Sequence, residues 1–184
     1  RLHKYKIKND EKGFHMARYT PVYGSVTSVN PLRTSSTDKS CSMIISIMSE
    51  SLGQTNFIVT PQTYVFNQHT FNPGDSIVAF YDTKAPVPLI YPPQFTAVVL
   101  AENSDGYEAV FDYFDDDLLN SSQTLQLSLS DQSETTILLS NGQTFFYHPG
   151  GHFLLVFYAF TTRSIPAVTT PQTIVVFCAP ENKT

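Results

Sequence analysis

The sequence predicts an all-β protein made of two tandem small barrels, each written by one copy of an internal repeat. Three observations carry that prediction. Apolar segments are short, rich in β-branched and aromatic residues, and bounded by turn formers, which is the pattern of strands. A long motif occurs twice, as "FYDTKAPVPLIYPPQFTAVVL" from Phe80 to Leu100 and as "FYAFTTRSIPAVTTPQTIVVF" from Phe157 to Phe177. Helix signals are poor, the best being Phe114 to Asn120, where an acidic run would complement a helix start.

Taken in order, residues 1–20 read as a polar tail. Arg1, His3, Lys4, Lys6, Lys8 and Lys12 cluster there, as a basic arm or as a solvated terminus. The first repeat spans 21–101. Its strands are expected at Ser25 to Val29, Met43 to Met48, Phe57 to Thr60 and Thr63 to Asn67, before a run that ends in Phe80-Tyr81. The second repeat spans 102–179. In "LQLSLS", Leu125 to Ser130, strict alternation places the leucines on one face of a strand. In "ILLSNGQTFFY", Asn141-Gly142 predicts a two-residue type I′ hairpin with both residues at positive φ. The turns Asn72-Pro-Gly-Asp75 and His148-Pro-Gly-Gly151 form a matched pair, with Pro fixing φ and Gly freeing it. Residues 180–184 are a short C-terminal tail.

Phe80-Tyr81 align with Phe157-Tyr158 at a spacing of 77. Pro88, Pro93 and Gln94 align with Pro166, Pro171 and Gln172 at 78, so one insertion separates the halves of the motif. In the same alignment Thr60-Pro61-Gln62-Thr63 occupies the corner of Asn141-Gly142, with a different geometry. Self-similarity with insertions confined to turns indicates duplication. Five or so strands in each repeat, in the order seen here, resemble the oligonucleotide/oligosaccharide-binding (OB) barrel. A single β-sandwich built from both repeats is the alternative architecture.

Composition bounds the function. With 41% hydrophobic and 15% charged residues the chain is too apolar for disorder. Fourteen Phe and ten Tyr without Trp predict a core of Phe and Tyr. A net charge of −5 argues against nucleic-acid partners, whose phosphates require clustered cations, and no apolar run is long enough for membrane insertion as a helix. No signal peptide is visible after Arg1. The surface nevertheless relies on Ser, Thr, Asn and Gln, a composition that leans toward export. Cys41 and Cys178 are expected either as one disulfide or as two buried thiols inside strands.

The residues Phe80, Tyr81, Asp82, Pro86, Pro88, Tyr91, Pro92, Pro93 and Arg163 to Pro166 are together similar to a family of secreted or surface-associated proteins from Gram-positive anaerobic bacteria. The resemblance implies a secreted or cell-surface setting and supplies no catalytic residue.

Ligand-binding candidates are Tyr81 and Tyr91, whose rings would stack on a sugar or a partner side chain, and Lys84 and Arg163 at comparable places after the Phe-Tyr strands. The simpler reading makes the proline loops wedges between the repeats, with Ile90 and Tyr91 filling the seam. Glu108, Asp112, Asp115, Asp116 and Asp117 offer oxygens for Ca²⁺, but their spacing is not that of a known calcium loop, and an acidic helix start explains them more simply. His15, His69, His148 and His152 fall at turns without zinc-ligand spacing, so neither a metal nor a cofactor is expected. No nucleophile elbow or nucleotide fingerprint occurs. The expected function is a non-enzymatic binding or structural module for a cell-wall glycan or a protein partner. The alternative is a hydrolase whose site assembles between the repeats.

Overall fold

The structure, a computed structural model, describes residues 17–103 and 106–179. The predicted basic arm and the C-terminal tail lie outside the described residues, apart from the last few positions before the first strand. The protein is all-β. Among the described residues thirteen strands fall in three sheets, with no α-helix and only a short 3-10 turn at Phe66–Gln68.

In the first half the strands are β1 (Tyr19–Pro31), β2 (Met43–Ser49), β3 (Gly53–Val59), β4 (Tyr64–Val65), β5 (Ser76–Asp82), β6 (Gln94–Thr96) and β7 (Val99–Glu102). They form one sheet in the order β4-β7-β5-β1-β2-β3-β6. β1 pairs with β5 through its first half and with β2 through its second, and a register shift between Val26 and Ser28 bends it between the two. β6 runs parallel to β3 at one end of the sheet, and β7 runs antiparallel to β5 near the other. Only Ala97 and Val98 separate β6 from β7, so the chain links the two ends directly.

The second half contains β8 (Glu108–Phe114), β9 (Leu125–Leu127), β10 (Thr136–Leu139), β11 (His152–Tyr158), β12 (Ala167–Thr169) and β13 (Thr173–Phe177). Its larger sheet has the order β10-β13-β11-β8, and β12 pairs with β9 in a third, parallel sheet. Two bridges, Phe114 to Asn120 and Leu119 to Gln126, join β8 to β9 through the place that β2 holds in the first half. With that bridge counted, the two halves have the same strand order.

Strand equivalence corrects part of the sequence alignment. The Phe-Tyr match is in register: the Phe80 carbonyl accepts from Val98 N–H, and the Phe157 carbonyl accepts from Gln172 N–H. The carbonyls of Val98 and Gln172 in turn accept from the N–H groups of Tyr64 and Thr136. Val98 is therefore the structural counterpart of Gln172, and the shared Pro-Gln at Gln94 lies four residues out of register. β10 corresponds to β4, so the Thr60 to Thr63 corner, which precedes β4, is not the counterpart of the Asn141-Gly142 turn.

That turn also differs from expectation. Of Asn141 and Gly142 only Gly142 has positive φ (84°). Leu139 receives Gly142 N–H at 2.9 Å and donates its own N–H to Gln143 at 2.7 Å, which makes a three-residue loop with glycine at the left-handed position. The Asn141 side chain accepts from Gln143 N–H, so its amide serves the turn without needing φ > 0. The Asn72 to Asp75 turn agrees with prediction, with Gly74 at φ 96° and Asp75 N–H donating to Asn72. The strand expected over Thr63 to Asn67 stops at Val65. Residues 66–68 turn instead, with Asn67 and Gln68 at φ 55° and 50°.

The predicted helix at Phe114 to Asn120 does not form. Asp115 caps a tight turn there, its Oδ1 accepting from Asp117 and Leu119 N–H at 3.0 and 2.9 Å, and Leu118 takes φ 60°. A short polar side chain that satisfies two backbone donors competes with helix initiation, and the bridge at Asn120 draws the chain back into the sheet. Asn120 is buried and organises the approach to β9, its Oδ1 accepting from the N–H groups of Thr124 and Leu125.

Three apolar clusters result. One lies within the first half around Ile45, Ile47, Phe57 and Leu100. One lies within the second around Phe114, Leu154 and Ile174. The third joins the halves: Val78, Phe80, Val99 and Ala101 meet Ala109, Phe111, Leu155 and Val175. Aromatic rings stitch it, with Tyr19 on Phe111 at 4.7 Å, Phe66 on Phe157 at 4.8 Å and Tyr64 on Phe177 at 4.9 Å between centroids. β5 therefore buries both faces, Ile77 and Ala79 inward and Val78 and Phe80 toward the seam, which is why its sequence shows no polar alternation.

Candidate functional site

Above the aromatic seam the two halves leave an open cleft of about 720 Å³. β1 contributes Tyr23 and Ser25, β8 contributes Glu108 and Val110, and Tyr158 stands at the end of β11. Met48 and Glu50 close the side near the β2–β3 turn, and Tyr107 closes the side near the β7–β8 connection. A second hollow of about 470 Å³ adjoins it, walled by Phe160, Thr161, Thr162, Thr170 and Gln172. Tyr107 lines both, which places it where the two hollows of this groove adjoin.

The tyrosines are held by the fold. Tyr23 reaches across the seam, donating its hydroxyl to the Ala109 carbonyl at 3.2 Å and accepting from Ala109 N–H at 2.9 Å. Tyr158 and Glu108 are ladder partners, and the Tyr158 hydroxyl donates to Glu108 Oε2 at 3.1 Å. Burial, then the Glu108 charge, pushes the Tyr158 phenol far above the ordinary tyrosine range. Burial likewise raises Tyr23, against the opposing bond to Ala109. Both phenols thus stay protonated, as donors. No lysine, arginine or histidine lines either hollow among the described residues, and Glu50 and Glu108 are the only charged side chains that do.

The sequence-predicted ligand residues lie elsewhere. Tyr81 is half-buried and stacked on Phe95 at 4.1 Å and 21°, so its ring belongs to the edge of the first-half core. Lys84 and Tyr91 sit on the exposed β5–β6 loop, and Arg163 on the β11–β12 loop of the other half. None of the four lines the groove. The structure also overturns the simpler reading of the proline loop. Tyr91 is 85% exposed and Leu89 fully so, and Ile90 is exposed too, so they project rather than wedge. The seam is filled instead by residues of the strands and by Phe66 and Val98.

Lys84 makes no side-chain ion pair among the described residues. Its backbone N–H caps Asp82, but the ion pair at Asp82 is made by Arg18 at 2.9 Å, which holds that carboxyl below its usual range. His69 lies between two carboxylates, 3.1 Å from Asp75 and 3.2 Å from Glu102, and ties the Pro-Gly turn to β7. His148 instead accepts Gly150 N–H within its own turn. His15 lies outside the described residues. Asp112 is buried and accepts from Tyr113 N–H and, at 2.6 Å, from Ser121, while its second oxygen has no partner. Cys41 and Cys178 are free and exposed, outside the strands, which corrects the expectation of buried thiols in strands.

The groove tyrosines escape sequence reasoning because Tyr23, Tyr107 and Tyr158 are far apart in the chain. Only Tyr158 carries a signal, as the repeat partner of Tyr81. Compared with known proteins, the chain matches no family model, no curated protein and no solved structure.

Proposed function

We propose that this chain is a non-enzymatic glycan-binding module built from two OB-like halves, whose ligand lies in the groove across their seam. The observation that carries the reading is the groove's lining: three tyrosines and an exposed Phe160 set among Ser, Thr, Asn, Gln and Glu. Aromatic rings offer flat apolar surfaces for the C–H faces of sugar rings, and the neighbouring hydroxyl, amide and carboxylate groups match sugar hydroxyls. The OB-like assignment is supported by the shared strand order, the parallel β3–β6 pairing and the direct link from β6 to β7 across the sheet ends. A secreted or cell-surface setting belongs to the same proposal, as does the division near residue 101. Single-stranded nucleic acid, the other common OB ligand, is disfavoured by a groove whose only charges are negative.

The test is titration of the chain against a panel of cell-wall and plant oligosaccharides, with Tyr107→Ala as the discriminating variant. Binding by at least one neutral oligosaccharide, weakened about tenfold or more when the shared ring is removed, is expected from the loss of one stacking platform. A flat panel sinks the reading. Glycoside hydrolysis in the same cleft is a second reading, drawn from Glu50 and Glu108, because such chemistry uses a pair of carboxylates. Release of new reducing ends from a bound oligosaccharide, abolished by Glu108→Gln, distinguishes it from binding alone.

A further inference from the structure

We propose that the seam cleft reads a protonated amine on the sugar it holds, so that its ligand is a glycan carrying free-amine hexosamine units; this rests on the glycan reading above. The two carboxylates of the cleft are uncompensated, since neither Glu50 nor Glu108 takes part in any ion pair among the described residues. Glu108 is also fixed in place. Its backbone is locked opposite Tyr158 in the β8–β11 ladder, and the Tyr158 hydroxyl holds Oε2. No described residue bonds the other oxygen, Oε1, which leaves it for a ligand donor.

Three tyrosines share these walls, and the negative face of an aromatic ring attracts a cation as the carboxylates do. A neutral sugar uses the rings and offers its hydroxyls to the polar groups, but it brings no charge to set against Glu50 and Glu108. An acidic sugar is repelled by Glu50 and Glu108 with no basic lining residue to offset them. A sugar with a protonated amine engages rings, hydroxyls and carboxylates together. Tyr158 stays neutral well beyond the pH at which such an amine is charged, because burial and the Glu108 charge raise its phenol, so the hydroxyl remains a donor to the carboxylate throughout.

The full chain is titrated calorimetrically, at slightly acidic pH and moderate salt, with a β-linked glucosamine tetramer and with its fully N-acetylated counterpart. The free-amine tetramer is expected to bind about tenfold or more tightly, the scale of one cation–π contact joined to one carboxylate contact. Glu108→Gln is expected to remove most of that preference, and Glu50→Gln to remove part of it. Asp131→Asn, a change to an exposed carboxylate outside both hollows, tests for mere attraction to the protein's overall negative charge and is expected to keep the preference. Equal affinity for the two tetramers overturns the amine inference and leaves the glycan reading standing. So does a preference that survives both Glu108→Gln and Glu50→Gln, or one that Asp131→Asn reduces as much as they do. Tetralysine binding as tightly as the glucosamine tetramer also overturns it, because the amine would then be read without the sugar. Absence of binding by either tetramer and by every neutral oligosaccharide overturns both.

Discussion

Replacing Phe111 by Ala should destabilise both halves of the molecule at once. Phe111 is 5% exposed and its ring meets Tyr19 at 4.7 Å and Phe80 at 6.2 Å, both from the first half. It also meets Phe177 at 5.2 Å and Phe153 at 5.9 Å in its own half. Truncating a buried Phe to Ala costs about 3–5 kcal/mol through lost transfer energy and the cavity left behind. Aromatic pairs contribute about 0.5–1.5 kcal/mol each beyond area burial, so roughly 1–3 kcal/mol of the loss comes from the two contacts that cross the seam. For a chain of this size that corresponds to a fall in melting temperature of roughly 6–20 °C. Urea unfolding monitored by circular dichroism and by tyrosine fluorescence, which no Trp obscures, measures the change. Because the seam core is shared, the two probes should show one transition that moves as a whole. A double-mutant cycle of Tyr19→Leu with Phe111→Leu should give a coupling of about 0.5–1.5 kcal/mol. The reasoning fails if Phe111→Ala costs less than about 1 kcal/mol. It also fails if a transition of unchanged midpoint persists for the first half.

Other sites give further expected outcomes. Ser121→Ala removes a 2.6 Å bond to the buried Asp112 carboxylate, whose second oxygen is already unpartnered, and should cost about 1.5–3 kcal/mol in urea unfolding. In Gly150→Ala the new methyl would stand 2.7 Å from the Asp115 carbonyl and 2.9 Å from Asp116 Cα, both backbone atoms, so a loss of about 1–3 kcal/mol is expected from the same assay. Alkaline pH should weaken the seam. Burial raises the phenols of Tyr19, Tyr23, Tyr64 and Tyr158, so the folded state keeps protons that the unfolded chain releases. Stability should be flat below about pH 10 and fall above it, and a urea midpoint that does not change between pH 8 and 11 would contradict this. At the acid end Asp82, held low by Arg18, stabilises above the ordinary carboxylate range and loses that contribution as pH falls through it, so Arg18→Ala should flatten the acid limb slightly.

Much of the fold is legible in the sequence, because strands and turns are local. β2, β3 and the strand ending in Phe80-Tyr81 can be read from β-branched and aromatic runs between turn formers, and Leu125 and Leu127 point inward as their alternation requires. Similarity without register is misleading. The two Pro-Gln pairs look equivalent but stand four residues apart in the ladders, since only backbone pairing fixes equivalence. The three aspartates at Asp115 to Asp117 suggest a helix start, yet Asp115 spends its oxygen on a turn that the returning bridge at Asn120 requires. The groove is illegible for a different reason. Tyr23, Tyr107 and Tyr158 converge only when β1, β8 and β11 meet at the seam, and no short motif records that meeting. The proline loop draws notice because its composition is unusual, but its apolar tip is held off the body and touches neither the seam nor the groove.

The third core has an implication for the symmetry of the molecule. Its facing surfaces come from β5 and β7 in one half and from β8, β11 and β13 in the other. β5 and β7 correspond to β11 and β13, so the halves meet largely through equivalent faces. That is the arrangement of an isologous homodimer, in which each subunit offers the same patch to its twin. The groove at the seam thus lies at a pseudo-symmetric junction whose two sides differ, since the place of β2 in one half is taken by a bridge in the other.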